Sequence, residues 1–186
     1  MEVPIRGWSL VLLNVFLLVS LLLPVNGNAL NVYYSLASPI SAETPKVILQ
    51  SGTAGTSTIY MNNTSAKVSV SAPSPTYDYV LKIVNQVANN WKANLKVYDS
   101  FNIGRLSNTT ISFHDGSTSN QIIINGGIIT QSEGPQYDLV GSATIYISMS
   151  NVQASASGTS YLYVYLKILV PDTSTYSLYI ITFEIT

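Results

Sequence analysis

The chain has no cysteine, a single histidine and few charges of either sign. Without cysteine no disulfide can form, so the fold must hold together by size, sheet, glycans or association. One histidine and no cysteine also exclude a zinc site for practical purposes. Charged residues make up 9% of the chain, against about 25% in ordinary domains. Eight Lys and Arg against nine Asp and Glu give a net charge of −1. No basic surface for nucleic acid follows from that balance. So few titrating groups predict a stability that changes little with pH.

Catalysis needs positioned acids, bases or nucleophiles, and few are on offer. His114 stands in Phe113-His114-Asp115-Gly116. Neighbouring strand residues point to opposite faces, and Asp115-Gly116 reads as a turn, so His114 is expected to be a turn residue rather than a base. The acids Glu43, Asp78, Asp99, Asp115, Glu133, Asp138, Asp172 and Glu184 are scattered singly. Neither an EF-hand spacing nor a Gly-rich phosphate loop is present. Calcium held by loop carbonyls and lone carboxylates stays open. Lys82, Lys167 and Glu184 fall inside expected strands and read as edge charges that discourage aggregation. The expectation is a protein without cofactor or metal, and not an enzyme.

The one long apolar run covers residues 8–23, too short for the roughly 20 residues of a membrane span. Arg6 precedes it, Pro24 ends it, and Gly27-Asn28-Ala29 offers small residues where a signal peptidase reads. This is the pattern of a secretory signal peptide, with cleavage expected after Ala29 or, alternatively, Gly27. Contact with a membrane is then confined to export. A second reading stays open: Arg6-Gly7 before the run fits the processing site of archaeal type IV pilins, which keep the apolar helix. Pro24 counts against it, because proline inside a helix costs about 3 kcal/mol.

What is present in abundance is strand chemistry. From residue 30 no convincing 3.6-residue period occurs. Short alternating segments rich in Val, Ile, Tyr and Thr recur between Gly, Pro, Asn and Ser. Strands are expected at about 31–37, 46–50, 57–61, 66–72, 77–86, 92–99, 107–113, 121–125, 128–131, 143–150, 160–170 and 176–185. Asn89-Asn90, Asp115-Gly116 and Asn125-Gly126-Gly127 supply hairpin turns. The spacing predicts an all-β, antiparallel sandwich of the immunoglobulin-like or pilin-like kind. A short helix over 79–88 is the one helical alternative.

The final hairpin is the plainest case. Leu162, Val164, Leu166, Ile168 and Val170 share one face, opposite Tyr161, Tyr163, Tyr165 and Lys167. Tyr179, Ile181, Phe183 and Ile185 build the apolar face of its partner. All 13 tyrosines lie beyond residue 29. Aromatic faces bind sugars, so a monomeric carbohydrate-binding surface module is a competing function. Tyr is equally a strand and interface residue, and Trp91 is alone.

Three regions follow: residues 1–29 as signal, 30–45 as an N-terminal strand and linker, and 46–186 as the sandwich. In the second region Leu30, Val32, Tyr34, Leu36 and Ile40 share one parity. Pro39 and Pro45 then disfavour continued pairing. The segment is either the first strand of its own sandwich or a donor strand that completes a neighbour's sheet. Sequons stand at Asn62, Asn63 and Asn108, and turn-like context favours Asn108 and one of the adjacent pair.

Asn102-Ile103-Gly104-Arg105-Leu106-Ser107-Asn108, Ile111-Ser112-Phe113-His114-Asp115-Gly116 and the closing hairpin together resemble the thread-filament subunits of thermoacidophilic archaea of the Sulfolobales. The overall plan is similar too: secretory signal, apolar tail, one Ser/Thr/Tyr-rich sandwich, sequons, no cysteine. The resemblance implies a glycosylated, adhesive cell-surface filament resembling a pilus, assembled head to tail by donor-strand complementation. Carried onto this chain, Leu30, Val32, Tyr34, Leu36 and Ile40 would be the inserted face. The partners implied are copies of the chain and N-linked glycans. The sequons are fewer than a heavily glycosylated surface would carry.

Overall fold

The computed structural model describes residues 46–169 and 176–186. The signal region, the strand-and-linker region and Val170 therefore lie outside the described residues. Twelve strands and one 3-10 turn make up what is described. They are β1 Val47–Ser51, β2 Thr56–Tyr60, β3 Ser65–Val70, β4 Ser74–Asn85, β5 Trp91–Phe101, the turn Ile103–Arg105, β6 Leu106–His114, β7 Thr118–Asn125, β8 Ile128–Gln131, β9 Tyr137–Leu139, β10 Thr144–Ala154, β11 Ser160–Leu169 and β12 Tyr176–Ile185.

They form two six-stranded sheets, one in the order β1-β4-β10-β6-β7-β8 and the other in the order β2-β3-β12-β11-β5-β9. Their inner faces enclose a single apolar core, and the fold is an all-β sandwich. Alternation decides which side chains enter it. Leu162, Val164, Leu166 and Ile168 of β11 are buried, as are Tyr179, Ile181, Phe183 and Ile185 of β12. Tyr161, Tyr163, Tyr165 and Lys167 face outward. Neighbouring strands are antiparallel with one exception: β12 runs parallel to β3, with Ile181 opposite Ala66 and Phe183 opposite Val68. A long connection lets strands so far apart in the chain pair this way.

The helical alternative over 79–88 gives way to β4, which pairs with both β1 and β10. Its ambiguous pattern has a local cause. The register against β10 shifts between Ile147 and Met149, and Tyr79 takes a positive φ of 59°. This bulge turns the Tyr79 ring onto His114 and Tyr146, at 5.6 and 4.4 Å. Gly52 is packed beneath it: a Cβ there would lie 1.7 Å from the Tyr79 carbonyl oxygen. Only glycine lets the chain pass so close, and Thr53 N then donates to that oxygen at 2.7 Å.

His114 is the last residue of β6 rather than part of the turn, paired with Tyr146 and Thr118. The turn begins at Asp115, whose carboxylate accepts from Ser117 N and Oγ. Burial of the Tyr137 ring and its hydrogen bond to Asp115 push the phenol up to about 12, and the Asp115 carboxyl lies below its usual range.

Candidate functional site

For a protein built of two sheets the surfaces that can act are the sheet edges and the outer faces. The edges differ in how they are closed. At β1 the Leu49 N–H donates to Asn63 O at 2.8 Å, and the Tyr179 hydroxyl donates to Val47 O at 2.7 Å. That edge is occupied. At the opposite flank the chain leaves β8 and crosses to the other sheet. Val97 N donates to Ser132 O at 2.7 Å, Gly134 N to Leu95 O at 2.9 Å, and β9 then pairs with β5. Gln121 completes this seal from β7, with Oε1 accepting from Leu95 N at 3.2 Å.

Among the described residues three strands besides β1, namely β2, β8 and β9, pair on one side only, and of these β9 carries the charged Asp138. There β2 forms a ladder only with β3, touched from β1 by one bond from Ser51 Oγ to Ser57 O at 3.3 Å, and β8 forms one only with β7. Neither Thr56-Ser57-Thr58-Ile59-Tyr60 nor Ile128-Ile129-Thr130-Gln131 contains a charged residue or a proline. Those are the devices by which soluble proteins normally blunt an edge. Ile128 is 67% exposed.

The outer face of the second sheet carries a strip of aromatic residues. Tyr98 of β5 stacks on Tyr165 of β11 at 4.1 Å, and Tyr161 lies parallel to Tyr163 at 6.3 Å. Phe101, 62% exposed, lies 6.4 Å from Tyr161. An ion-pair group flanks each end of this strip. In one, Lys67 Nζ is 3.0 Å from Glu184, which also accepts from Ser69 Oγ and the Tyr161 hydroxyl. In the other, Lys96 and Lys167 each approach Glu133 to 3.1 Å, and Asn94 Nδ2 donates to it at 2.9 Å. Burial alone would raise the Glu133 carboxyl, but the hydrogen bonds from Lys96, Lys167 and Asn94 win and bring it down to about 2. Glu184 is lowered against its own burial by Ser69, Lys67 and Tyr161.

These groups correct one sequence expectation. Lys167 and Glu184 belong to the central strands β11 and β12, not to edges, and their charges are held in pairs on the outer face. Lys82 is no edge charge either: β4 lies between β1 and β10, and the Lys82 Nζ lies over the Tyr146 ring at 5.9 Å. Partners more than twenty residues away in the chain gave no local signal of either group.

Arg105 is the functional-looking residue that sequence reasoning passed over except as part of a motif. It is 6% exposed. Its Nε donates to Ser160 Oγ at 2.8 Å, Nη1 to Ala156 O at 3.0 Å, and Nη2 to Ile185 O. Ser160 Oγ in turn donates to Asn102 O at 2.8 Å. The guanidinium thus ties the 3-10 turn to the start of β11 and the end of β12. Its role is anchorage.

Of the sequon residues, Asn62 and Asn63 sit exposed in the β2–β3 turn, with φ of 51° and 66°. Asn108 departs from its expected turn-like setting. It is half-buried within β6, opposite Asn125 and Gln153. Leu30, Val32, Tyr34, Leu36 and Ile40 lie outside the described residues. Among the described residues no cluster of His, Asp and Glu could hold a metal.

No protein-family profile matches the sequence, and no curated protein is similar to it. Similar solved structures include the PapD-like domain 7 of human CEP192, at 10% identity and a TM-score of 0.39, covering 80% of this chain and 90% of that one. A family 123 glycoside hydrolase from Clostridium perfringens is similar at 8% identity and a TM-score of 0.40, over 75% of this chain and 26% of the hydrolase. The CooA pilin subunit of enterotoxigenic Escherichia coli is similar at 12% identity and a TM-score of 0.38, over 76% of this chain and 98% of the pilin.

Proposed function

We propose that this chain is a structural, non-catalytic subunit of an extracellular filament on the cell surface. In it, residues 30–40 of one copy add as a strand to the sandwich of the next. The observation that carries this reading is the pair of open edges, β2 and β8, which lack the charges and prolines that would keep neighbours away. An added strand pairs its backbone with such an edge and sets alternate apolar side chains against the core. Each side chain among Leu30, Val32, Tyr34, Leu36 and Ile40 that becomes buried contributes roughly 1.5–3 kcal/mol. A head-to-tail contact of this kind does not close, so it propagates as a fibre. Such a link also supplies durability in a chain without disulfides. N-linked glycans on the exposed Asn62/Asn63 turn, and on Asn108, would complete the surface.

Placing a lysine on each open edge tests the reading. Thr56→Lys and Ile128→Lys both replace exposed side chains and should leave the fold unchanged. One of them is expected to abolish filaments seen by electron microscopy, which identifies the receiving edge. Normal filaments from the double variant would contradict insertion at either edge.

The aromatic strip on the outer face of the second sheet favours a second reading, a carbohydrate-binding surface module. Tyr165→Ala and Phe101→Ala separate the two: lost sugar binding by a monomer supports the module, and unaltered filaments with no sugar affinity support the subunit.

A further inference from the structure

Asn94 and Lys167 stand directly opposite one another on β5 and β11. Both donate to the same atom, Oε1 of Glu133, from Nδ2 at 2.9 Å and from Nζ at 3.1 Å. Asn94 is 4% exposed, and its Nδ2 also reaches Gly134 O at 3.3 Å. Its Oδ1 is buried without a hydrogen-bond partner among the described residues. A primary amine and a carboxamide on facing strand positions thus share one carboxylate oxygen, held by three separate chain segments. The comparable group around Glu184 contains Lys67, Ser69 and Tyr161 but no carboxamide.

We propose that Lys167 and Asn94 become joined by an amide bond, with Glu133 as the proton carrier. Glu133 takes a proton from the Lys167 ammonium, and the free amine attacks Asn94 Cγ. Negative charge gathers on Oδ1, the buried atom that lacks a donor and that the protonated Glu133 carboxyl can serve. The Cγ–Nδ2 bond then breaks as Glu133 returns the proton to Nδ2. The second proton leaving the attacking nitrogen follows it, so the nitrogen departs as ammonium and Glu133 is a carboxylate again. One C–N bond forms and one breaks, and neither oxidant nor co-reactant is consumed. Two lysines hold Glu133 ionised, which makes the neutral amine and acid a minor state. The bond therefore forms slowly, once per molecule, after folding has brought the three groups together. Cross-strand neighbours lie about 5 Å apart, whereas Lys96 is two residues along the same strand and faces Tyr165. Lys167 is the lysine placed for attack.

The product ties β5 to β11 and closes the chain that contains β6 to β10 into a loop. Like a disulfide, it would restrict the unfolded chain, in a protein with no cysteine. The inference does not depend on the filament reading.

Peptide mass spectrometry of the secreted full chain tests it, before and after prolonged incubation below the unfolding temperature. A branched peptide joining Lys167 to Asn94, lighter than its two parts by one ammonia, is expected to accumulate. Cleavage by trypsin after Lys167 should be lost in proportion. The peptide should be absent from Lys167→Arg and from Glu133→Gln, with folding checked by circular dichroism. Lys67→Arg should leave it unchanged. Unlinked Lys167 and Asn94 after incubation, Asn94 merely deamidated, a link through Lys96, or full linkage in Glu133→Gln would each overturn the proposal.

Discussion

Gln121 on β7 accepts a hydrogen bond through Oε1 from the backbone N–H of Leu95 on β5, 3.2 Å away in the opposite sheet. Its Nε2 donates to Ser119 Oγ and to Pro135 O. One fully buried amide therefore does between the sheets what a ladder bond does within one. Gly134 is packed against it so closely that a Cβ would lie 1.9 Å from Oε1.

Gln121→Leu keeps the bulk but leaves the Leu95 N–H and the Pro135 carbonyl without partners. A loss of about 2 kcal/mol is expected, the cost of burying unpaired backbone groups. Gly134→Ala should cost about 1–3 kcal/mol by overpacking the same site. Urea unfolding checks both: the midpoint should fall with an unchanged slope.

Arg105→Met removes the donors to Ser160, Ala156 and Ile185 while keeping an unbranched chain of similar reach. A loss of about 3 kcal/mol is expected, because three acceptors lose their donor at once. Arg105→Lys should rescue little of it, since an ammonium cannot reproduce the planar fork. Thermal unfolding followed by circular dichroism measures both.

The scarcity of charge predicts weak pH dependence, and the ion-pair groups say where the remaining dependence lies. Glu133 and Glu184 have folded pKa values below the ordinary 4.5, Glu133 at about 2. A depressed carboxyl contributes stability that is fully present above its unfolded value and is lost as pH falls through the folded one. Stability should therefore be level from about pH 4.5 to about pH 10, decline toward about pH 2, and decline again toward about pH 12 as the raised Tyr137 and Tyr179 phenols ionise. Glu133→Gln should flatten the acid decline. A loss of stability confined to alkaline pH would contradict the assignment.

The sequons make a separate prediction. Glycopeptide analysis should find sugar on Asn62 or Asn63, exposed at a turn. Asn108, half-buried in an interior strand, should be occupied less. The reverse order would contradict the accessibility argument.

The sheet was legible wherever one face of a strand is buried and the other wet. β11 shows this best, since Leu162 to Ile168 alternate without a break, whereas in β12 Tyr179 to Phe183 are all buried. β9 was not legible, because Tyr137-Asp138-Leu139 is too short to show a period and is held by its pairing with Trp91, Lys92 and Ala93. The strand expected at 77–86 is β4, but its bulge was not legible, because an extra pair of residues disturbs the alternation around Tyr79. The parallel pairing of β3 with β12, and the meeting of Asn94, Glu133 and Lys167, depend on contacts far apart in the chain. No local pattern encodes them. Arg105 belongs to the same class: a lone arginine in a loop-like stretch looks exposed until its three acceptors are seen around it.

The central claim is that residues 30–40 polymerise the protein. The most direct measurement compares chains starting at Leu30 and at Thr44 by electron microscopy and unboiled gel electrophoresis. The account predicts filaments and stable ladders from the longer chain and folded monomers from the shorter. Two forms that are equally monomeric and equally stable would contradict it.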